Sequence, residues 1–217
     1  MLKLNLGCGS IRPLGWVNTD GSWNANLQRI PILGKVVNRF LNTVHYEDNN
    51  LIYMNLNNKW GYRDNSVDIV YASHLFEHLS LSSANLFLSE AYRVLKTGGT
   101  IRIVVPDLYK ICKKYIEEYE KSEKDSTEFI MWAINMHREG QYGAHIPFWK
   151  KIILELQGYP HQHKFMYDAK SLTNKLIDFG FKDILSLEYG FSQYIHEIKD
   201  VEGTKESYLS AYIEAKK

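Results

Sequence analysis

Three stretches of this chain hold residues that could act on a ligand together. The first is Gly7-Cys8-Gly9-Ser10, which stops the short apolar alternation of residues 2–6. Glycines at such a point let a turn pass close to a ligand, where a β-carbon would collide. The second is Asp20, at the end of the brief segment Trp16–Asp20. A carboxylate there can accept hydrogen bonds from both hydroxyls of a ribose. Asn55, just after the apolar run Leu51–Met54, could meet the edge of an adenine, with Leu56 offering a backbone N–H. Either glycine turn or acidic residue alone would be unremarkable, but their joint placement at successive strand ends points to a nucleotide-like ligand. The interval from Gly9 to Asp20 is shorter than the ~20 residues of a dinucleotide fingerprint, which argues against a nicotinamide enzyme.

The third group could move protons. It comprises His74, Glu77, His78, Asp107, His145, His161 and His163. His74-Leu75-Phe76-Glu77-His78 also fits the His-x-x-Glu-His pattern of inverted zinc peptidases. That pattern needs one long helix carrying all its ligands, whereas His74 is expected at a strand-to-helix turn. His161-Gln162-His163 could hint at a metal, yet spacing identifies no third ligand. The expectation is therefore that no metal is bound. Gln141–His145 and His161–Phe165 lie on glycine- and aromatic-rich loops, suited to choosing an acceptor. Trp132, Phe148 and Trp149 read as core of the same region.

These residues need elements to position them. Short apolar runs over 2–6, 16–20, 51–54 and 67–72 read as strands, and the β-branched run Thr100–Val105 as a strand buried on both faces. Helical spacing runs from Ser82 to Leu95, with Thr97-Gly98-Gly99 placed to cap its end. Helices are expected over about 108–122, 126–137 and 147–157, then from Ser171 to Phe179, followed by strands over 181–189 and 208–215. The alternation predicts an α/β protein with a doubly wound, mostly parallel, seven-stranded Rossmann-like sheet. One domain spans 1–217, with 108–168 a helical insertion after the fifth strand. In such sheets ligands sit beyond the carboxyl ends of the strands. That rule puts Gly7–Ser10, Asp20, Asn55, Ser73-His74 and Asp107 along one rim.

The blocks LNLGCG, GWVNTD, DNSVDIVYASHLFEHL and EAYRVLKTGGTIRIVVPDL together resemble small class I methyltransferases that use S-adenosylmethionine (SAM). The resemblance is strong over residues 3–110 and nearest to predicted enzymes linked with surface polysaccharide or secondary-metabolite biosynthesis. It implies that Leu6, Gly7, Cys8 and Gly9 line the methionine and ribose of SAM and that Asp20 holds the ribose. Asn55 and Leu56 would meet the adenine, and Ser73 and His74 would close the site. Asn5 and Asn55 stand where many relatives carry acidic residues, and Ser10 replaces a third glycine; none of these breaks the site. Candidate catalytic residues are His74, His78, Asp107, His145 and His163. Ubiquinone-pathway O-methyltransferases carry a similar carboxylate–histidine cluster near Glu77, and some use a divalent cation. Here the simpler expectation is that Glu77 and His78 shape the cofactor pocket.

The bulk properties agree with a small-molecule enzyme. The chain has 217 residues, enough for one sizeable core, and a formal net charge of +1, so no broad field for nucleic acid exists. The Asn/Asp-Pro-Pro-aromatic signature of many nucleic-acid methyltransferases is also missing after the fourth strand, where Ala72-Ser73-His74-Leu75 stands. Cys8 and Cys112 suggest no disulfide framework. No apolar run approaches membrane-spanning length, and the start reads as a strand rather than a signal peptide, so a cytoplasmic protein is expected. The expected reaction is methyl transfer to a small acceptor, most plausibly a sugar or glycan-precursor hydroxyl. The alternative is a catalytically silent SAM-binding module. Oligomeric state is not legible.

Overall fold

The computed structural model describes residues 1–21, 51–121, 126–135, 162–202 and 209–217. Seven strands form one sheet: β1 (Lys3–Leu6), β2 (Val17–Asp20), β3 (Ile52–Tyr53), β4 (Val67–Ser73), β5 (Leu95–Pro106), β6 (Lys182–Leu187) and β7 (Ser210–Lys216). The helices are α1 (Leu81–Val94), α2 (Leu108–Glu120), α3 (Ser126–Ala133), α4 (Ala169–Asp178) and α5 (Ile198–Glu202). The strand order is β3-β2-β1-β4-β5-β7-β6. The first five strands pair in parallel, while β7 runs antiparallel to both β5 and β6. This is a doubly wound, mostly parallel seven-stranded α/β sheet, as the sequence pattern predicted.

Alternation along the strands divides the core. Leu4, Leu6, Val70, Ala72, Ile101 and Ile103 pack on one face with Phe87, Leu88 and Ala91 of α1 and Leu172 and Leu176 of α4. Burying each such Leu or Phe contributes roughly 1.5–3 kcal/mol. Ile69, Tyr71, Val104 and Tyr212 point the other way, into a second core with Trp16, Ile195, Ile198 and Val201. Arg102 also points that way and is fully buried. Its guanidinium bonds Glu202 Oε1 at 2.7 Å from Nε, and lies 3.4 Å from Glu214 Oε2. The second face of β5 is thus sealed partly by an ion cluster, where the apolar density of the strand suggested packing alone.

Several boundaries differ from expectation. The helix before β5 ends at Val94, with Leu95 already extended, and Gly98-Gly99 lie inside β5 rather than capping the helix. The cause is pairing: Gly98 donates to the Lys217 carbonyl at 3.0 Å, and Lys217 donates back to Gly99 at 3.0 Å. Against β4, Val67 pairs with Leu95 and Ile69 with Thr100, so the intervening residues bulge out. Gly98 takes the positive φ (75°) this bulge needs. Among residues 7–16 no helix intervenes between β1 and β2, so the strict alternation fails there. Helix α5 was not anticipated, and the helix expected near 147–157 lies outside the described residues. Helix α4 begins two residues earlier than expected because Asp168 caps it, in a capping box with Ser171.

Candidate functional site

Strand register builds the rim. Leu6 lies opposite Thr19 on one side and Ala72 on the other, and Ser73 lies opposite Val104. Gly7, Asp20 and His74 therefore leave the sheet side by side. Gly7 and Gly9 both adopt positive φ, 65° and 51°. A β-carbon on Gly7 would press on the Leu75 side chain at 3.0 Å, whereas the space beside Gly9 is open. The turn is held from below: Cys8 N–H donates to the Thr19 carbonyl at 3.0 Å. Asn5, fully interior, donates through Nδ2 to the Ile11 carbonyl and to Asn18 Oδ1, each at 2.9 Å. Sequence reading treated Asn5 as a lost acidic contact; in the fold it braces the glycine turn. Its pairing with Asn18 carries no sequence signal.

Asp20 ends β2 and is nearly buried. Beside it, a β-carbon on Gly21 would sit 2.7 Å from the Met54 carbonyl, so the approach of the two chains requires glycine there. Asn55 is exposed, and its Oδ1 already accepts from Asn57 N–H at 3.0 Å. The acceptor that the sequence reserved for an adenine amine is thus shared with a local turn. Leu56 is half-buried beside the first core.

His74 follows β4 in a left-handed conformation (φ 49°), a strained choice for a residue other than glycine. Its N–H donates to Val104 at 2.9 Å, and its Nε2 faces Ser210 Oγ at 3.4 Å. Next comes a single 3₁₀ turn, Phe76–His78, too short for the zinc-peptidase arrangement. On it, Glu77 is buried to 1% exposure. Neither of its carboxylate oxygens accepts a hydrogen bond among the described residues. Its Oε1 lies 3.4 Å from His74 Nδ1 and 3.9 Å from both His78 Nε2 and His163 Nε2. His163 arrives because Lys164 and Phe165 donate their amides to the Glu77 carbonyl, at 2.8 and 3.2 Å. Burial pushes the His163 imidazole below its ordinary value. Burial, with the Glu77 charge adding to it, pushes the neighbouring Tyr167 phenol up to about 12.

A cavity of about 290 Å³ opens beside this group, lined among the described residues by His74, His163, Ile111, Trp132, Leu209 and Ser210 and their neighbours. Trp132 is 61% exposed at this wall, contrary to its expected place in a core. Asp107 does not line the cavity. Its carboxylate caps α2, accepting from Tyr109 N–H at 3.0 Å and Lys110 N–H at 3.4 Å, and burial raises its pKa. His145, His161, Phe148 and Trp149 lie outside the described residues. The structure thus brings His74, His78 and His163 together around Glu77 and gives Asp107 a structural task.

Residues 4–103 match the family described as "Methyltransferase domain". That match covers 100 of the 217 residues, less than half of the chain. Among solved structures it is similar to a SAM-dependent methyltransferase from Methanosarcina mazei, with 18% identity and a TM-score of 0.50 over 99% of this chain and 91% of that one. It is also similar to SAM-dependent methyltransferases from Archaeoglobus fulgidus (16% identity, TM-score 0.48, 100% and 86% covered) and Thermotoga maritima (17%, 0.48, 100% and 82%). No curated protein matches the sequence. The matched span ends at Ile103, so it covers the glycine turn, Asp20 and the Glu77 turn but not His163. No helix among the described residues is long and apolar enough to cross a membrane.

Proposed function

We propose that this chain transfers a methyl group from SAM to a hydroxyl of a small acceptor, with a sugar or glycan precursor as the acceptor class that fits best. A methyltransferase domain of this fold takes SAM as its cofactor, which supplies an electrophilic methyl group on a sulfonium. The residues present suit it. The positive-φ turn at Gly7–Gly9 has open space beside Gly9, and a nearly buried carboxylate ends the next strand. In this reading Leu6, Gly7, Cys8 and Gly9 pass along the methionine and ribose, Asp20 holds the ribose hydroxyls, and Asn55 and Leu56 meet the adenine. Ser73 and His74 close the site.

The observation that carries the acceptor side is the cavity beside His74. Its polar groups, including Ser210 and His163, and the exposed Trp132 ring suit a ligand with hydroxyls on one edge and an apolar face, as a sugar has. Methyl transfer is an in-line displacement: an oxygen–carbon bond forms as the carbon–sulfur bond breaks, and the electron pair stays on sulfur. The acceptor proton must leave, and His74 is the base best placed to take it, since among the described candidate bases it alone lies at both the strand-end rim and the cavity wall. The segment from 108 to 168 would serve as the acceptor cap. An open cavity also favours catalysis over a silent binding module, whose pocket would be filled by aromatic side chains.

Calorimetric titration with SAM and S-adenosylhomocysteine, followed by a screen of sugar acceptors with labelled SAM, is the test. Binding of both and label in a glycosyl product are expected. Absence of binding by both overturns the reading.

A further inference from the structure

We propose that Glu77, His78 and His163 form a binding site for one divalent transition-metal cation of the zinc type, opening onto the acceptor cavity. The first argument is charge. A carboxylate with 1% exposure and no hydrogen-bond donor among the described residues is costly to keep ionised unless a positive charge sits beside it. No lysine or arginine among the described residues pairs with it; three imidazoles lie within 3.9 Å of its Oε1.

The second argument is tautomer. His78 Nδ1 lies 3.1 Å from the Gln162 carbonyl, which can only accept, so Nδ1 carries the proton. In the neutral form of this tautomer, a bare Nε2 faces Glu77 Oε1 at 3.9 Å. Two electron-pair donors aimed at one space repel unless a cation lies between them. Fixing a ligand histidine through its other nitrogen to a backbone carbonyl is how metal sites orient such rings.

The third argument is the donor set and its spacing. The three ligand atoms lie within 4.8 Å of one another. Tetrahedral ligands on zinc bonds of about 2.0–2.1 Å are ~3.4 Å apart, so closure needs only small side-chain shifts. Two imidazoles and one carboxylate match open catalytic zinc sites and suit calcium or magnesium poorly. His163 also lines the cavity, so a cation held there would border it. There the cation would lower the pKa of a hydroxyl brought to it. This last role rests on the proposed methyl transfer; the binding site itself does not. His-x-His at 161–163 lacked a third ligand by spacing alone. The fold brings His163 of that pattern to Glu77 and His78 from across the segment that separates β4 from α4, while His161 lies outside the described residues.

The experiment strips the full-length protein with chelator, dialyses it against Zn²⁺ and measures bound metal, with Co²⁺ substitution read by visible absorption. About one equivalent per chain is expected, with the d–d bands of a tetrahedral or five-coordinate cobalt site and a rise in the wild-type melting temperature. Glu77→Gln and His163→Gln should each lose the bound metal and the cobalt bands, while His196→Ala, an exposed histidine elsewhere, should keep both. Substoichiometric metal in the wild type, or metal undiminished in both variants, overturns the proposal. S-adenosylhomocysteine affinity is read on the same samples. Its absence alongside retained metal would sink the methyl-donor reading and leave the metal site standing.

Discussion

Two buried acidic clusters in this protein are built on opposite principles. In one, Arg102 lies between Glu202 and Glu214. Glu202 Oε2 also accepts from Gly190 N–H at 2.6 Å, and Glu214 Oε1 from Gln193 and Tyr194 N–H at 3.0 and 3.1 Å. Both carboxylates have donors for their charge, and the cluster knits the 188–195 loop to the sheet. In the other, Glu77 is as deeply buried, but the cationic side chains within reach of it among the described residues are imidazoles. Among the described residues the first has an arginine for its two carboxylates, whereas the second has no lysine or arginine beside it. Burial alone thus does not distinguish a structural carboxylate from a functional one, whereas the supply of donors does.

Substitutions should separate the two. Arg102→Met leaves two acidic groups buried without their cation and should cost about 3–5 kcal/mol, read as a drop in the urea midpoint at unchanged slope. A loss well below ~1 kcal/mol would show that the cluster is not the brace described. Glu77→Gln, measured in chelator, should move stability the other way or not at all, with a gain of up to ~2 kcal/mol, because it removes an unpaired buried charge. A large loss would mean that Glu77 has a structural partner. Asp20→Ala should weaken SAM binding by ~1–3 kcal/mol, about ten- to a hundredfold, by calorimetry. Unchanged affinity would remove Asp20 from the ribose site.

The smallest effect concerns pH. Folding lowers the His163 pKa from its ordinary 6.5, chiefly through burial, despite the nearby Glu77 charge and with help from His78 and His74. The fold therefore favours the neutral ring. Its contribution to stability is complete above about pH 6.5 and is lost as pH falls through the lower folded value. Metal-free wild type should lose stability over that window more steeply than His163→Gln. Parallel pH curves for the two would show that His163 does not titrate against folding.

Much of this was legible from sequence where one strand and its turn suffice. The alternation at 67–72, the β-branched run at 100–105 and the glycines after Leu6 each announce their structure locally. What stayed hidden needed partners distant along the chain. Gly98-Gly99 look like a helix cap until the end of β7 pairs with them. Asp107 looks like a base at a strand end until α2 begins on it and claims its oxygens. Arg102 looks misplaced in an apolar strand until Glu202 and Glu214 arrive from the C-terminal region. Glu77 and His163 offer the clearest case: neither local pattern announces the other, and only the two amides donated to the Glu77 carbonyl bring them together.

The segment between β5 and α4 leaves and rejoins the sheet at almost one point. Asp107 and Tyr167 form an isolated bridge, and Leu108 N–H donates to the Tyr167 carbonyl at 2.8 Å. A polymer whose two ends are already clasped can change length cheaply: each doubling of a flexible loop adds only ~0.6 kcal/mol to its closure. The doorway at 107–167 therefore works as a docking port in the fold's architecture. Different lengths of chain could be fitted there while the sheet stays unaltered.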